Sequence, residues 1–421
     1  MWYLLYNLLL TIAFALALPF LPVLCLFGSR YREGLLQRLG FYPGEISLAL
    51  ATESPIWIHA ASVGEVRSAE ALAHALKERI PGRKILLSTF TATGYRLGRQ
   101  IAGVDGVIFF PVDLFWIVRR ALANFNPVLV IIIETEIWPN FLRQAYRRGI
   151  PTLLLSGRLS ARASARYQLC RSFFRRVLGS FTALGMQTAE DAVRIVGLGA
   201  AENKVSVVGS LKSQGPNSQA AANRFTLAWR GKPLLVAGST HRGEEEILLT
   251  ALTLVRRRFA NLSMVIAPRH PERFADVERL LRHSSLLFQR RSQAEPKDWF
   301  DKDVLLLDSV GELVDFFAAA DVAFVGGSLV EVGGHNVSEP ARFAKPILFG
   351  PHMDNFHNLA EQMKREGAAL EVAGAEDLAA ALSDLLADPM KRQQMGQKAA
   401  QIVSAHQQAF SANLHLAERY L

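Results

Sequence analysis

The sequence predicts an α/β protein of two halves, each a mostly parallel sheet wrapped by helices. Three observations predict it. Short apolar runs alternate with longer stretches of helical periodicity, the pattern of strands joined by helical crossovers. The 421 residues exceed the size at which a single core usually stops growing, so two domains are expected. The rhythm breaks at the glycine-, serine- and asparagine-rich interval GSLKSQGPNSQAAANR, beginning at Gly209, where a domain boundary fits.

The first element is MWYLLYNLLLTIAFALALPFLPVLCLFG, which has no charged side chain before Arg30. As a helix it is long enough to cross a hydrocarbon core, although Pro19 and Pro22 can kink or shorten it. It lacks the basic leading region of a cleavable signal peptide. Arg30, Arg32 and Arg38 follow it and favour a cytoplasmic carboxyl side, while Trp2, Tyr3 and Tyr31 mark the interfaces. The alternative is a buried N-terminal helix. The expectation is a membrane anchor over residues 1–28.

The first half then runs through the strands IWIHA, KILLST, GVIFF, VLVIII, PTLLLS, FTALGM and VSVVG. After IWIHA, Glu65 stands where the chain leaves a strand for an amphipathic helix with Val66, Ala69, Leu72, Ala73 and Leu76 on one face. Helix N-termini favour negative charge, so a first-turn capping acid and a functional carboxylate are both open readings. VLVIII ends in Glu134 and Glu136, which share one face if the strand continues between them. Each also suits a helix cap or a salt bridge.

The second half resumes with PLLVAGS, LSMVIAP, DVLLLDS, DVAFVGGS and KPILFGP. Ligands of open α/β sheets bind beyond the carboxyl ends of the strands, and a polar set follows these runs. It comprises Lys212, Arg269, His270, Gly311, Glu312 and the stretch Gly326 through Pro340. Backbone N–H groups at a helix start cradle phosphate, lysine or arginine neutralises it, and a carboxylate such as Glu339 accepts from ribose hydroxyls. Together these read as nucleotide recognition, although each residue alone is explained by turns, bridges or loop support.

Composition narrows the classes. Two cysteines, Cys25 and Cys170, make no disulfide framework or zinc pattern and suit a reducing compartment. The 47 basic and 38 acidic residues leave a net charge of +9, which suits acidic substrates or an anionic lipid surface. No zinc-finger spacing, aromatic RNA-binding motif or dense arginine helix points to nucleic acid. Neither a Walker phosphate loop nor the dinucleotide fingerprint is present. No dedicated metal-ligand cluster stands out either. His59, His241, His270, His335, His352 and His357 read as loop or substrate-contact candidates.

HAASVGEV, IIIETEIWPN, SGRLSAR, VVGSLK, APRHPERF, VGGSLVEVGGHN and GPHMDNF occur in order across almost the whole chain. In these motifs the sequence resembles the membrane-associated 3-deoxy-D-manno-octulosonic acid (Kdo) transferases that add Kdo to lipid A precursors. The resemblance implies the B-type glycosyltransferase fold, two facing Rossmann-like domains with an N-terminal membrane-associated helix. It places the anchor at 1–28, an acceptor-side domain at 29–212 and a donor-binding domain at 213–421, with the last helix able to return to the first domain.

The implied reaction is metal-independent inverting transfer of Kdo from CMP-Kdo to lipid IVA, with the donor as substrate and no separate cofactor. The resemblance makes Glu65 the general base and assigns transition-state stabilisation to Glu134 and Lys212. CMP contacts are implied at Pro268, Arg269, Val310, Gly311, Glu312, Asn336, Val337, Ser338 and Glu339. The implied setting is the bacterial inner membrane with its lipids as partners and the catalytic domains on the cytoplasmic side. Ser213 and Gln214 stand where the family has an aromatic and an aspartate, and Val337 and Ser338 where proline and leucine are usual. The alternatives are another B-type transferase using a UDP-sugar, or an inactive nucleotide- or lipid-binding relative.

Overall fold

The computed structural model describes residues 2–20, 33–51, 53–211, 229, 231–293, 295, 298–299 and 301–421. The chain divides into two compact units, Met1–Pro216 with His406–Leu421, and Asn217–Ala405.

The first unit is built on a seven-stranded sheet: β1 (Ile56–His59), β2 (Ile85–Thr89), β3 (Gly106–Phe109), β4 (Leu129–Ile133), β5 (Thr152–Gly157), β6 (Ala183–Met186) and β7 (Val205–Val207). Their order is β3-β2-β1-β4-β5-β6-β7, and every pairing is parallel. The strands read as nearly unbroken apolar runs because both faces are covered. Trp57, Leu86, Ile108, Val130, Ile132 and Leu154 enter one core layer, while Ile56, Ile58, Leu87, Ile131, Ile133 and Leu155 enter the other. The order reverses between β1 and β4, where Ile58 lies beside Ile131 and His59 beside Ile132. At such a switch point the carboxyl ends of two neighbouring strands lead into crossovers on opposite sides, and side chains after them flank one opening.

The second unit repeats the plan with β8 (Leu234–Thr240), β9 (Ser263–Pro268), β10 (Phe288–Arg290), β11 (Val304–Leu306), β12 (Val322–Val325), β13 (Ile347–Phe349) and β14 (Ala369–Glu371). The order is β10-β11-β9-β8-β12-β13-β14, again all parallel, with the reversal between β8 and β12. Leu235, Ala237, Met264 and Ile266 pack on one face, and Leu234, Val236, Val265 and Ala267 on the other.

The expected membrane-crossing anchor is overturned. No helix among the described residues is long and apolar enough to cross a membrane. The N-terminal helix is Trp2–Ala17, and its 16 residues rise about 24 Å against a hydrocarbon core of roughly 30 Å. It gives way to a 3₁₀ turn at Leu18–Phe20, where Pro19 cannot continue the α-helical ladder. Tyr3 and Tyr6 pack on Phe173, with ring centroids 5.6 Å away, and Asn7 and Asn140 exchange side-chain amide hydrogen bonds at 2.8 and 3.1 Å. One face of the helix is therefore docked on the first unit. The membrane-associated helix and the inner-membrane placement that rested on it are withdrawn. Pro22, Cys25, Arg30, Tyr31 and Arg32 lie outside the described residues.

Candidate active site

In the first unit, β1 ends at His59 and the helix Val63–Arg79 begins after Ser62. Ser62 is the N-cap, its Oγ accepting from the Glu65 N–H at 3.3 Å. The Glu65 carboxylate reaches back: Oε2 accepts from the Ala61 N–H at 2.8 Å and Oε1 from the Ser62 hydroxyl at 2.8 Å. This reciprocal capping fixes the carboxylate at the sheet mouth with 8% of the residue exposed. The capping role is thus real, and it also orients the acid.

On the neighbouring strand, β4 stops at Ile133, so Glu134 and Glu136 do not share a strand face. The Glu134 N–H still donates to the Leu155 carbonyl at 3.0 Å, but its φ is +60°, a left-handed conformation uncommon for a non-glycine residue. The Thr135 hydroxyl bonds the Arg158 carbonyl, holding the turn. Beyond it Glu136 is pushed up to about 7, first by burial, then by the negative charge of Glu65, with a smaller push from Glu134. The switch point therefore sets Glu136 within the influence of both Glu65 and Glu134.

The Glu134–Trp138 turn is pinned at its far end. Asp113 accepts from the backbone N–H groups of Asn140 at 2.9 Å and Phe141 at 2.8 Å, capping the helix Pro139–Arg147 from another strand connection. Burial pushes this carboxyl up to about 7 against the pull of its donors. His59 is buried at the end of β1, with Nδ1 3.2 Å from the Ser88 carbonyl and 3.0 Å from its hydroxyl, and its ring centroid is 4.0 Å from that of Phe110. Burial holds it down to about 3, so it is neutral. Lys212, Ser213 and Gln214 lie outside the described residues, which reach Leu211, whose N–H donates to Ser156 Oγ at 3.1 Å.

In the second unit, Pro268 closes β9 and the Arg269 N–H donates to the Thr240 carbonyl at 3.0 Å, leaving the guanidinium at an exposed residue. Val310 is 82% exposed, Gly311 takes a φ of +93°, and Glu312 accepts from Arg291 Nη2 at 2.9 Å and from the Ser309 hydroxyl. Asn336 Oδ1 accepts from the Ser338 N–H at 3.0 Å, and its amide reaches Glu339 at 3.5 Å. Burial raises the Glu339 carboxyl, opposed by Arg342, Asn336 and Arg269. Val337 packs in the core with Val325, Ala341 and Phe349, so the departure from the family pattern at this position serves packing.

The glycine-rich stretch after β12 departs from expectation. Its N–H groups do not stand open for a phosphate: Gly327 donates to Glu244 at 2.7 Å, Ser328 at 3.0 Å and Leu329 at 2.9 Å. The His241 N–H adds a fourth bond at 2.8 Å. Glu244, wholly buried, thus fills the nest with an internal anion and ties the loop after β8 to the loop after β12. Its neighbour Glu245 accepts from the Thr240 hydroxyl at 2.8 Å and takes both Arg273 Nη atoms, at 2.6 and 3.2 Å. Sequence reasoning passed over Glu244 and Glu245, and the available signal was their place in the first turn of a helix directly after a strand. Among the described residues no three His, Cys, Asp or Glu side chains are grouped to hold a metal ion.

Residues 33–214 match the family described as 3-Deoxy-D-manno-octulosonic-acid transferase (kdotransferase). A 3-deoxy-D-manno-octulosonic acid transferase of Haemophilus influenzae is 34% identical over 429 residues, spanning 100% of this chain and 99% of that protein. Its counterpart in Bordetella pertussis is 34% identical over 379 residues, spanning 87% of this chain and 88% of the other. A crystal structure described as the C-terminal CMP-Kdo binding domain of WaaA from Acinetobacter baumannii is 31% identical, with a TM-score of 0.40, covering 42% of this chain and 94% of that one.

Proposed function

Because the chain belongs to the Kdo transferase family and is a glycosyltransferase, we propose that it transfers Kdo from CMP-Kdo to the lipid A precursor lipid IVA in lipopolysaccharide synthesis. The observation that carries the mechanism is the carboxyl cluster at the switch point of the first unit, with Glu65 anchored through both oxygens.

An acceptor sugar hydroxyl is a weak nucleophile at neutral pH. Glu65 removes its proton as the oxygen attacks the anomeric carbon of Kdo, and the bond from that carbon to the CMP phosphate oxygen breaks on the opposite face, inverting the centre. Glu136, pushed up to about 7, retains a proton more readily than an ordinary carboxyl. That protonation relieves repulsion within the cluster. Glu134 faces the positive character that develops on the donor sugar, and Lys212 neutralises charge on the departing phosphate without a metal ion. Residues 29–212 serve the acceptor side. In 213–421, Pro268, Arg269, Val310 through Glu312 and Asn336 through Glu339 receive CMP, with Glu339 accepting from the ribose hydroxyls.

The test is a mass spectrum of lipid IVA after incubation with the full-length protein and freshly generated CMP-Kdo, without added divalent metal. Kdo-sized mass additions by the wild type, lost in Glu65→Gln, support the reading. No addition by a folded enzyme with verified donor overturns it.

A further inference from the structure

A basic, imidazole-rich cluster lies at the carboxyl ends of the strands of the second unit, and of its members only Arg269 has a role in the scheme above. His241 follows β8, Arg269 and His270 follow β9, and His335 lies in the stretch after β12. His241 and His335 meet end on, with centroids 5.1 Å apart and planes within 9°, their Nε2 atoms only 2.8 Å from each other. Two protonated Nε2 atoms cannot face one another at that distance, so one ring donates and the other accepts. With this bond intact the pair accepts one further proton and no more. His270 stands edge-on to His241 at 5.4 Å.

The surroundings favour an anion. Arg269 and His270 are exposed, and His241 and His335 are half-buried. Of the nearby carboxylates, Glu244 is held by four backbone N–H groups and Glu245 by Thr240 and Arg273, while the exposed Glu272 lies 3.9 Å from His270 Nδ1 and Glu339 is left to the ribose. Because Glu244 occupies the glycine nest, the N–H groups of residues 327–329 are closed to a phosphate. Gly327 seats the pair closely, since a Cβ there would meet His335 Cδ2 at 3.0 Å and His241 Cδ2 at 3.4 Å.

Resting on the donor assignment above, we infer that the His241–His335 pair, together with Arg269, forms the subsite for the phosphate of the donor nucleotide and takes up one shared proton as that anion arrives. Before binding, burial and the neighbouring cations hold both imidazoles below their ordinary range. His335 is lowered to about 4 by burial, His241, Arg269 and His270, while His241 is lowered by burial, His270, Arg273 and Arg269. An arriving phosphate opposes those cations and raises the affinity of the pair for a proton. The proton comes from solvent, adds a positive charge beside the phosphate that leaves with CMP, and returns to solvent when CMP departs.

The experiment is calorimetric titration of the full chain near about pH 6 with CMP as its methyl phosphodiester, called CMP below, which like the donor has no ionisation of its own at that pH, in buffers of contrasting ionisation enthalpy, with cytidine as the phosphate-free control. Wild type is expected to show heat that varies with the buffer, reporting proton uptake with CMP and none with cytidine. His335→Gln and His241→Gln keep a hydrogen-bonding side chain but cannot take the proton. The two substitutions together are expected to abolish the uptake, and each alone to weaken CMP about tenfold, the worth of one charge-assisted hydrogen bond. CMP binding without uptake by wild type overturns this inference and leaves the donor assignment standing, a result that needs no variant to fold. Uptake that persists when both histidines are replaced, or that vanishes only in His270→Gln, also overturns it. Failure of CMP to bind removes the donor assignment and this inference with it.

Discussion

The Tyr6 hydroxyl donates to the Asp113 carboxylate at 2.9 Å, joining the N-terminal helix to the group that caps the helix Pro139–Arg147. Asp113 thereby serves three donors from two segments, and none of them is near it in sequence. Asp113→Ala leaves two helix N–H groups and a phenol without their acceptor and should destabilise the protein by about 2–4 kcal/mol. Tyr6→Phe, which removes one donor and keeps the ring, should cost about 1 kcal/mol. Urea denaturation followed by near-ultraviolet circular dichroism measures both, and equal losses would show that the phenol carries the whole arrangement.

Stability should also depend on pH with a definite sign. Asp113 and Glu136 are raised from ordinary values of 3.8 and 4.5 to about 7, so the native state holds protons that the unfolded chain has released. Their contribution to stability is present below pH 3.8 and is lost as pH rises towards about 7. Asp113→Asn and Glu136→Gln should each flatten this decline. The check is a series of denaturant midpoints across that window, and variants as steep as the wild type would remove the assignment.

Glu65 should separate catalysis from capping. Glu65→Gln keeps a side chain able to accept from the Ala61 N–H, so folding should change by under about 1 kcal/mol while transfer falls at least 100-fold. Ser62→Ala removes the N-cap and one anchor of the carboxylate, and should cost about 1 kcal/mol together with a smaller loss of kcat. Steady-state kinetics beside thermal melting distinguishes these outcomes.

At Glu134 the left-handed backbone makes an unusual substitution informative. Glu134→Gly fits a φ of +60° without strain, and relief of strain offsets the greater freedom of the unfolded chain. Stability should stay within about 1 kcal/mol while turnover collapses. Glu134→Val places a β-branched residue in the same conformation and should be less stable than the glycine variant by roughly 1–3 kcal/mol. Paired chemical denaturation curves give the comparison.

In the second unit Glu244→Ala strands four backbone N–H groups in a buried site and should cost about 3–5 kcal/mol. Glu244→Gln retains acceptor capacity in one oxygen only and should fall between the alanine variant and wild type. Thermal melting of the three proteins checks the order.

Much of this architecture was legible in the sequence. The strands β1 to β9 and β11 to β13 coincide with apolar runs, and for all of them but the exposed edge strand β7 the reason is that a parallel strand covered on both faces must be apolar throughout. The two strands that were missed, Phe288–Arg290 and Ala369–Glu371, are three residues long and only partly buried, so hydrophobicity did not mark them. Glu65 was placed at a helix start by the same reading, since the capping pattern is local. The N-terminal segment misled because apolar length alone suggested a span, whereas Pro19, Tyr6 and Asn7 give a shorter helix docked on protein.

The sequence by itself determined the alternation of strand and helix, the ordered motifs and the family, because periodicity, capping and motif order are properties of neighbouring residues. The tertiary structure decided which of those residues act together. Strand order sets β1 beside β4 and brings Glu136 under the influence of Glu65, 71 residues away. It likewise sends Glu244 into a nest formed by residues 327–329 and sets His241 against His335. Such couplings depend on which strands become neighbours, a long-range outcome of packing two apolar faces at once, and no local pattern encodes it.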